Sequence, residues 1–235
     1  MVSIANDRMI EHKKLLSKEI IQDIKKKKYP VNYVLMLIMF IINIAILFVF
    51  GIKNEFYANI DLFSYLVLTP MLISAFWIDF KKEIIPNRLV LTMFEVGLIF
   101  VFLIGVLNPN GISLAINRVL GMLVGGGVFC IITLIGGLIA GKEAMGFGDV
   151  KLMGALGLFF GVKSILIIAV VSFLLGAILS IALLVLKIKK SNEYIPFGPF
   201  IVLAVFISIF VPEDLLFSGL WFFFSGKWFL KYFIK

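Results

Sequence analysis

The sequence predicts an all-α polytopic membrane protein, a transmembrane helical bundle of about seven or eight spans. Three observations carry that class. Of 235 residues, 62% are hydrophobic and only 15% are charged. Mean hydropathy reaches +1.12. Apolar runs recur at lengths near the roughly 20 residues that a helix needs to cross the hydrocarbon. In lipid each backbone N–H and C=O must find a partner within the protein, so runs of this kind read as helices. The net charge of +8 sits mostly in short segments between the runs. That placement suits an anionic cytoplasmic leaflet and gives no support to nucleic-acid binding. The single cysteine, Cys130, lies inside an apolar run, which excludes a disulfide framework and a cysteine-based metal site.

Two regions are expected, a basic N-terminal arm over residues 1–30 and a transmembrane domain over residues 31–235. The arm carries Arg8, Lys13, Lys14, Lys18 and Lys25 to Lys28 against Asp7, Glu11, Glu19 and Asp23. It is too long and too acidic for the charged start of a signal peptide. Leu15, Leu16, Ile20, Ile21 and Ile24 recur at roughly helical spacing, so the arm is either an amphipathic helix on the membrane surface or a solvated cytoplasmic extension.

Eight apolar runs follow, at approximately 31–50, 62–78, 89–107, 119–140, 150–160, 164–186, 197–211 and 215–224. The last is short for a span. The fourth holds Gly121, Gly125, Gly126 and Gly127, and the fifth holds Gly154 and Gly157, spacings that let helix backbones approach closely. No internal repeat is evident. The tail from Trp221 to Phe233, rich in aromatic residues and lysines, reads as an interfacial belt.

Sidedness follows from the basic residues. Lys and Arg precede run one and lie between runs two and three (Lys81, Lys82, Arg88), four and five (Lys142, Lys151) and six and seven (Lys187, Lys189, Lys190). They also follow run eight, as Lys227, Lys231 and Lys235. The other connections hold only Lys53, Arg118 and Lys163. The positive-inside rule then puts both termini and the Lys-rich connections in the cytoplasm. Asp79, at the end of run two, and Asp149, at the start of run five, fall on that same face.

A carboxylate beside hydrocarbon is costly and by default marks a functional site with a nameable partner. The lone histidine, His12, lies in the arm, so neither a Ser-His-Asp triad nor an HExxH zinc site can be assembled. Two carboxylates remain. In peptide hydrolysis, an ionised member takes a proton from water while a protonated member polarises the scissile carbonyl. Asp149 opens a helix and Asp79 closes one, so the helix dipole favours Asp149 as the ionised base and Asp79 as the acid. Gly146 and Gly148 flank Phe147, and a loop of that composition can adopt positive φ and admit a substrate backbone.

These residues resemble the type IV prepilin peptidases, GxGD-type membrane aspartic proteases. Ile78-Asp79 followed by Ile85-Pro86-Asn87 is similar to the family's first-aspartate motif. Gly146-Phe147-Gly148-Asp149-Val150-Lys151-Leu152-Met153, continuing to Ala155-Leu156-Gly157, is similar to its second, and Ile195-Pro196-Phe197-Gly198-Pro199-Phe200 to its late motif. The resemblance spans roughly residues 62–211. It implies an aspartic endopeptidase with Asp79 and Asp149 catalytic. Gly146, Phe147, Gly148, Lys151, Pro86 and Asn87 would shape the site or bind substrate, and no metal or cofactor is expected. It also implies a multi-pass protein of the cytoplasmic membrane that cleaves prepilin or pilin-like precursors after a short basic leader, with the site facing the cytoplasm.

Longer members carry paired CxxC motifs and N-methylate the product. With one cysteine here, methyl transfer is not expected, nor is S-adenosylmethionine. Lys151 either tunes the pair or anchors the membrane face, and Glu95, deep in run three, reads as a structural carboxyl. Glu83 and Glu143 read as solvated loop charges. Pro196, Gly198 and Pro199 are expected to shape the start of a helix near the site. Two alternatives stand beside this reading. A presenilin-like intramembrane protease would carry a late Pro-Ala-Leu motif, which the sequence lacks. A proton-coupled transporter would place acids near the midplane of pseudo-symmetric halves.

Overall fold

The computed structural model describes residues 33–50, 56–140, 145–185 and 196–224. Within them lie seven helices: α1 (Tyr33–Phe50), α2 (Phe56–Lys82), α3 (Asn87–Leu107), α4 (Gly111–Ala140), α5 (Phe147–Val185), α6 (Gly198–Phe210) and α7 (Glu213–Phe224). The chain divides into two compact units, Met1–Leu37 and Ile38–Lys235. Of the first, only the opening of α1 is described. The N-terminal arm over residues 1–30 lies outside the described residues, as do Lys53, Lys142, Glu143, Lys187 to Lys190 and the tail beyond residue 224.

Four described helices, α2 to α5, are long and apolar enough to cross a membrane, or five spans if the bent pair α6–α7 counts as one. The protein is therefore a polytopic helical membrane protein. Helix α5 has 39 residues, roughly 58 Å if straight and nearly twice the hydrocarbon thickness of about 30 Å. It is not straight. Gly161 breaks it at φ 75° and ψ −178°, a left-handed conformation that glycine adopts without a Cβ clash. A Cβ on Gly125 of α4 would meet both the Met153 carbonyl at 2.7 Å and the Ile165 side chain at 2.8 Å. Residues twelve apart in a straight helix are separated by about 18 Å, so the two arms of α5 fold back on each other and both lie against α4. The Val162 N–H at the break donates to Asn117 Oδ1 at 3.4 Å. The eight apolar runs thus correspond to α1–α4, the two arms of α5, α6 and α7.

Packing between helices in lipid cannot draw on apolar burial from water and relies on close steric fit at small residues. The α4–α5 contact is of that kind. A Cβ on Gly121 would lie 2.7 Å from the Gly157 carbonyl and from Gly161, and one on Gly157 would fall on the Gly121 backbone. Elsewhere Gly97 of α3 admits Leu158 and Phe159 of α5. The core runs through Leu68, Leu72, Met93, Phe129, Leu152, Met153, Leu156 and Ile201, all fully buried, while large apolar residues cover the outside of α1, α3 and α4.

Charged groups collect at both ends of α2. Asp61, near its start, pairs with Arg118 of α4, and Asp79 lies in its last turn. Eighteen residues separate the two acids, roughly 27 Å along the helix. Arg118, expected in a connection, sits two turns inside α4, and its pairing with Asp61 supplies the counter-charge that makes this possible. Lys163 pairs with Glu213 at 3.3 Å and Asp214 at 3.5 Å, tying the bend of α5 to the first turn of α7.

The glycine contacts give a graded expectation. Gly157→Ala should destabilise the purified protein by about 1–3 kcal/mol through overpacking. Gly127→Ala, where nothing lies within 4 Å of an added Cβ, should be neutral or stabilising by up to about 1 kcal/mol. Thermal melting in detergent reads both, and equal effects would contradict the packing described.

Candidate active site

The last turn of α2 and the first turn of α5 meet at one end of the bundle. Helix α2 stops where Glu83 takes a left-handed φ of 55° and its N–H donates to the Asp79 carbonyl at 2.8 Å. Pro86, three residues on, caps α3 in extended conformation. The connection folds over the Gly146–Asp149 stretch: Ile85 is buried, and a Cβ on Gly148 would stand 3.0 Å from the Ile85 Cβ. Gly148 therefore serves as a space for Ile85. Neither it nor Gly146 adopts positive φ; among the described residues only Glu83 and Gly161 do. The expected left-handed loop is instead a right-handed first helical turn, closed by the Asp149 N–H donating to the Gly146 carbonyl at 3.1 Å. An ordinary helix start needs no inverted torsion.

Asp79 and Asp149 are each only 3% exposed, and they lie close enough that the charge of Asp79 acts on Asp149. Their surroundings differ. Asp79 Oδ2 accepts the Gly198 N–H at 3.0 Å, from the first residue of α6. Asp149 Oδ1 is buried with no hydrogen-bond partner within the described protein. One acid is thus held by backbone from a distant segment, and the other takes a backbone hydrogen bond from nearby Gly146 while its Oδ1 stays unengaged. Among the described residues no group of three or more His, Cys, Asp or Glu is placed to hold a metal ion.

The remaining candidates divide around these two acids. Phe147 is exposed at the start of α5, and Pro86 is half-buried in the α2–α3 connection. Lys151 donates to Asn87 Oδ1 at 3.0 Å, an exposed bond joining the starts of α5 and α3. Two residues on a helix differ by about 200° in direction, so Lys151 faces away from Asp149 and does not pair with the acids. A groove of about 490 Å³ opens beside it, floored by Gly154 and Ala155 and walled by Phe94 and Met122, on this same far flank. Glu95, expected as a structural carboxyl, is exposed on α3.

Sequence reasoning missed the contact from Gly198. The late stretch around Pro196 to Phe200 was expected to start a helix nearby, and it does, with Phe197 at the N-cap and proline in the first turn. That its opening N–H reaches Asp79, 119 residues earlier, has no local signature. The signal available was the glycine between Phe197 and Pro199 in an otherwise bulky stretch.

Comparison with known proteins gives a consistent result. Residues 66–181 match the model of the type IV leader peptidase family, a segment that contains both aspartates. A protein from Aeromonas salmonicida named prepilin leader peptidase/N-methyltransferase is 35% identical over 144 residues, covering 61% of this chain and 47% of the relative. Proteins of the same name from Xanthomonas campestris and Pseudomonas aeruginosa are each 33% identical, covering 66% and 61% of this chain and 52% and 48% of their own lengths. The chain spans about half the length of the curated relatives it matches. No solved structure matches it. These matches show that residues 66–181 of this membrane protein, the segment that holds the GxGD stretch and the upstream aspartate, belong to the type IV leader peptidase family.

Proposed function

We propose that this chain is a membrane aspartic endopeptidase that removes the short basic leader from type IV prepilin-like precursors, using Asp79 and Asp149 as a dyad that activates water. The observation that supports it most directly is that two carboxylates, one from the last turn of α2 and one from the first turn of α5, are both almost fully buried, with Asp149 within reach of the charge on Asp79. A dyad of two carboxylates works with one proton between them. That is the state peptide hydrolysis requires. The ionised member takes a proton from water as the oxygen attacks the scissile carbonyl. The protonated member donates to the carbonyl oxygen as it gains charge, and as the tetrahedral intermediate collapses the proton taken from water passes to the leaving nitrogen, the C–N bond breaks and the new amino terminus departs as an amine.

The roles proposed here reverse those suggested by helix position alone. Asp79 ends its own helix, yet it faces the opening of α6 and accepts a backbone N–H from it. A donor at a helix N-terminus suits a charged oxygen, and we assign Asp79 as the base. Asp149, with an unengaged buried oxygen, is assigned as the proton donor. Only hydrolysis is proposed; the relatives' second named activity, N-methyl transfer, is not carried over.

Orientation forms part of the same proposal. The distribution of Lys and Arg puts the dyad at the cytoplasmic face of the cell membrane. Residues 31–235 form the peptidase domain behind the N-terminal arm. Counting both arms of α5 and α6 as crossings, with or without α7, gives seven or eight spans. The first arm of α5 and α6 are short, 14 and 13 residues or roughly 20 Å each, so the bilayer is expected to thin around them.

Two experiments test these statements. Co-expressed with a prepilin, the wild type should remove the leader, and Asp79→Asn and Asp149→Asn should each slow removal by about 10²–10⁴-fold; a gel shift of the precursor reads this, and undiminished processing by either variant refutes the dyad. For sidedness, a cysteine at the exposed Ile84 in a Cys130→Ala background should react with an impermeant maleimide in inside-out vesicles and not in intact cells. Labelling from outside would reverse the topology.

A further inference from the structure

Asp79 belongs to α2, but its carboxylate is seated by α6. Beyond the hydrogen bond from its N–H to Oδ2 at 3.0 Å, Gly198 contributes a vacancy. A Cβ built on it would lie 2.5 Å from Asp79 Oδ2, 3.0 Å from Cγ and 3.3 Å from Cβ. The first separation is closer than real Cβ atoms are found and the other two are tighter than most real contacts, and the obstruction is the side chain on which the proposed chemistry depends. With Oδ2 committed to the backbone, Oδ1 is the oxygen left for reaction.

The turn that carries Gly198 is itself fixed from behind. The ring of Phe197 packs 5.1 Å from that of Phe173 and 6.1 Å from that of Phe129, and those two rings stand 5.2 Å apart. Gly176 lets this cluster close, since a Cβ there would come within 3.0 Å of Phe197. α4 and the second arm of α5 thereby set the depth at which α6 begins, and with it the place where its first N–H meets Asp79.

The geometry points to Gly198 as a positioning residue for the dyad proposed above, a role that rests on that reading: its N–H orients the Asp79 carboxylate and its missing side chain is the space the carboxylate occupies. At the first position of a helix, alanine is ordinarily at least as favourable as glycine. A penalty for alanine here should therefore come from Asp79 and vanish with it.

A double-mutant cycle on the full chain in detergent tests this. Gly198→Ala should lower Tm by about 3–10 °C, the range expected of overpacking in a chain of this size. In an Asp79→Ala background the same change should lower Tm by less than about 1 °C, or raise it. A Gly198→Ala protein that fails to accumulate while the double variant accumulates is the same result in stronger form. Equal losses in the two backgrounds, or failure of both proteins to accumulate, would overturn the assignment and leave Gly198 as a packing residue of α6. Where wild-type processing of a prepilin is observed, Gly198→Ala should also reduce kcat by about 10²-fold with KM little changed, as displacement of a reacting group by about 1 Å would do; unchanged kcat counts against the role. Melting does not depend on peptidase activity, so a failed cleavage assay with an intact cycle refutes the function and not the contact.

Discussion

The desolvation of two carboxylates is the constraint on which this structure turns. Each acid is almost fully removed from solvent at the end of a helix that runs into hydrocarbon, a position tolerated only with partners supplied by the protein. For Asp79 the partner is a backbone N–H from α6. For Asp149 the principal neighbouring charge is Asp79 itself. An arrangement that holds two acids together and leaves one oxygen unengaged costs stability, and such costs concentrate at sites where they serve chemistry. At the far end of α2, by contrast, Asp61 is simply neutralised by Arg118. One helix thus carries an ion-paired acid at one end and, at the other, a buried acid held by a backbone N–H.

What brings the acids together is steric. Apolar side chains gain little by leaving lipid for one another, so the bundle depends on backbone approach at glycines. Gly121 and Gly125 of α4 meet Gly157, Gly161 and Met153 of α5, fixing both arms of the broken helix against one support. That support positions Asp149 through the first arm and, through the aromatic cluster of Phe129, Phe173 and Phe197, the start of α6 that reaches Asp79. Both acids are therefore referred to α4, although neither belongs to it.

Much of this could be read from the sequence, because the information was local. Composition gave the class, apolar runs gave the helices, and the run boundary between residues 160 and 164 marked the break at Gly161. That Asp79 and Asp149 lie at helix ends was legible from the pairing of a charged residue with the end of an apolar run. Contacts between distant segments were not. Arg118 looked like a loop charge because Asp61 is 57 residues away, and Lys151 looked like a neighbour of Asp149 because sequence adjacency hides the 200° rotation that turns it to Asn87. Gly146 and Gly148 suggested an inverted loop, yet one closes an ordinary turn and the other makes room for Ile85. The role of Gly198 depended on a partner 119 residues away, with no periodicity to announce it.

Cross-linking tests directly whether the two aspartates stand close to each other. Cysteines placed at positions 79 and 149 in a Cys130→Ala background, treated in native membranes with a short bifunctional thiol reagent, should form an intramolecular bridge that is lost when the protein is unfolded first. A folded protein in which each cysteine reacts singly and no bridge ever forms would contradict the account.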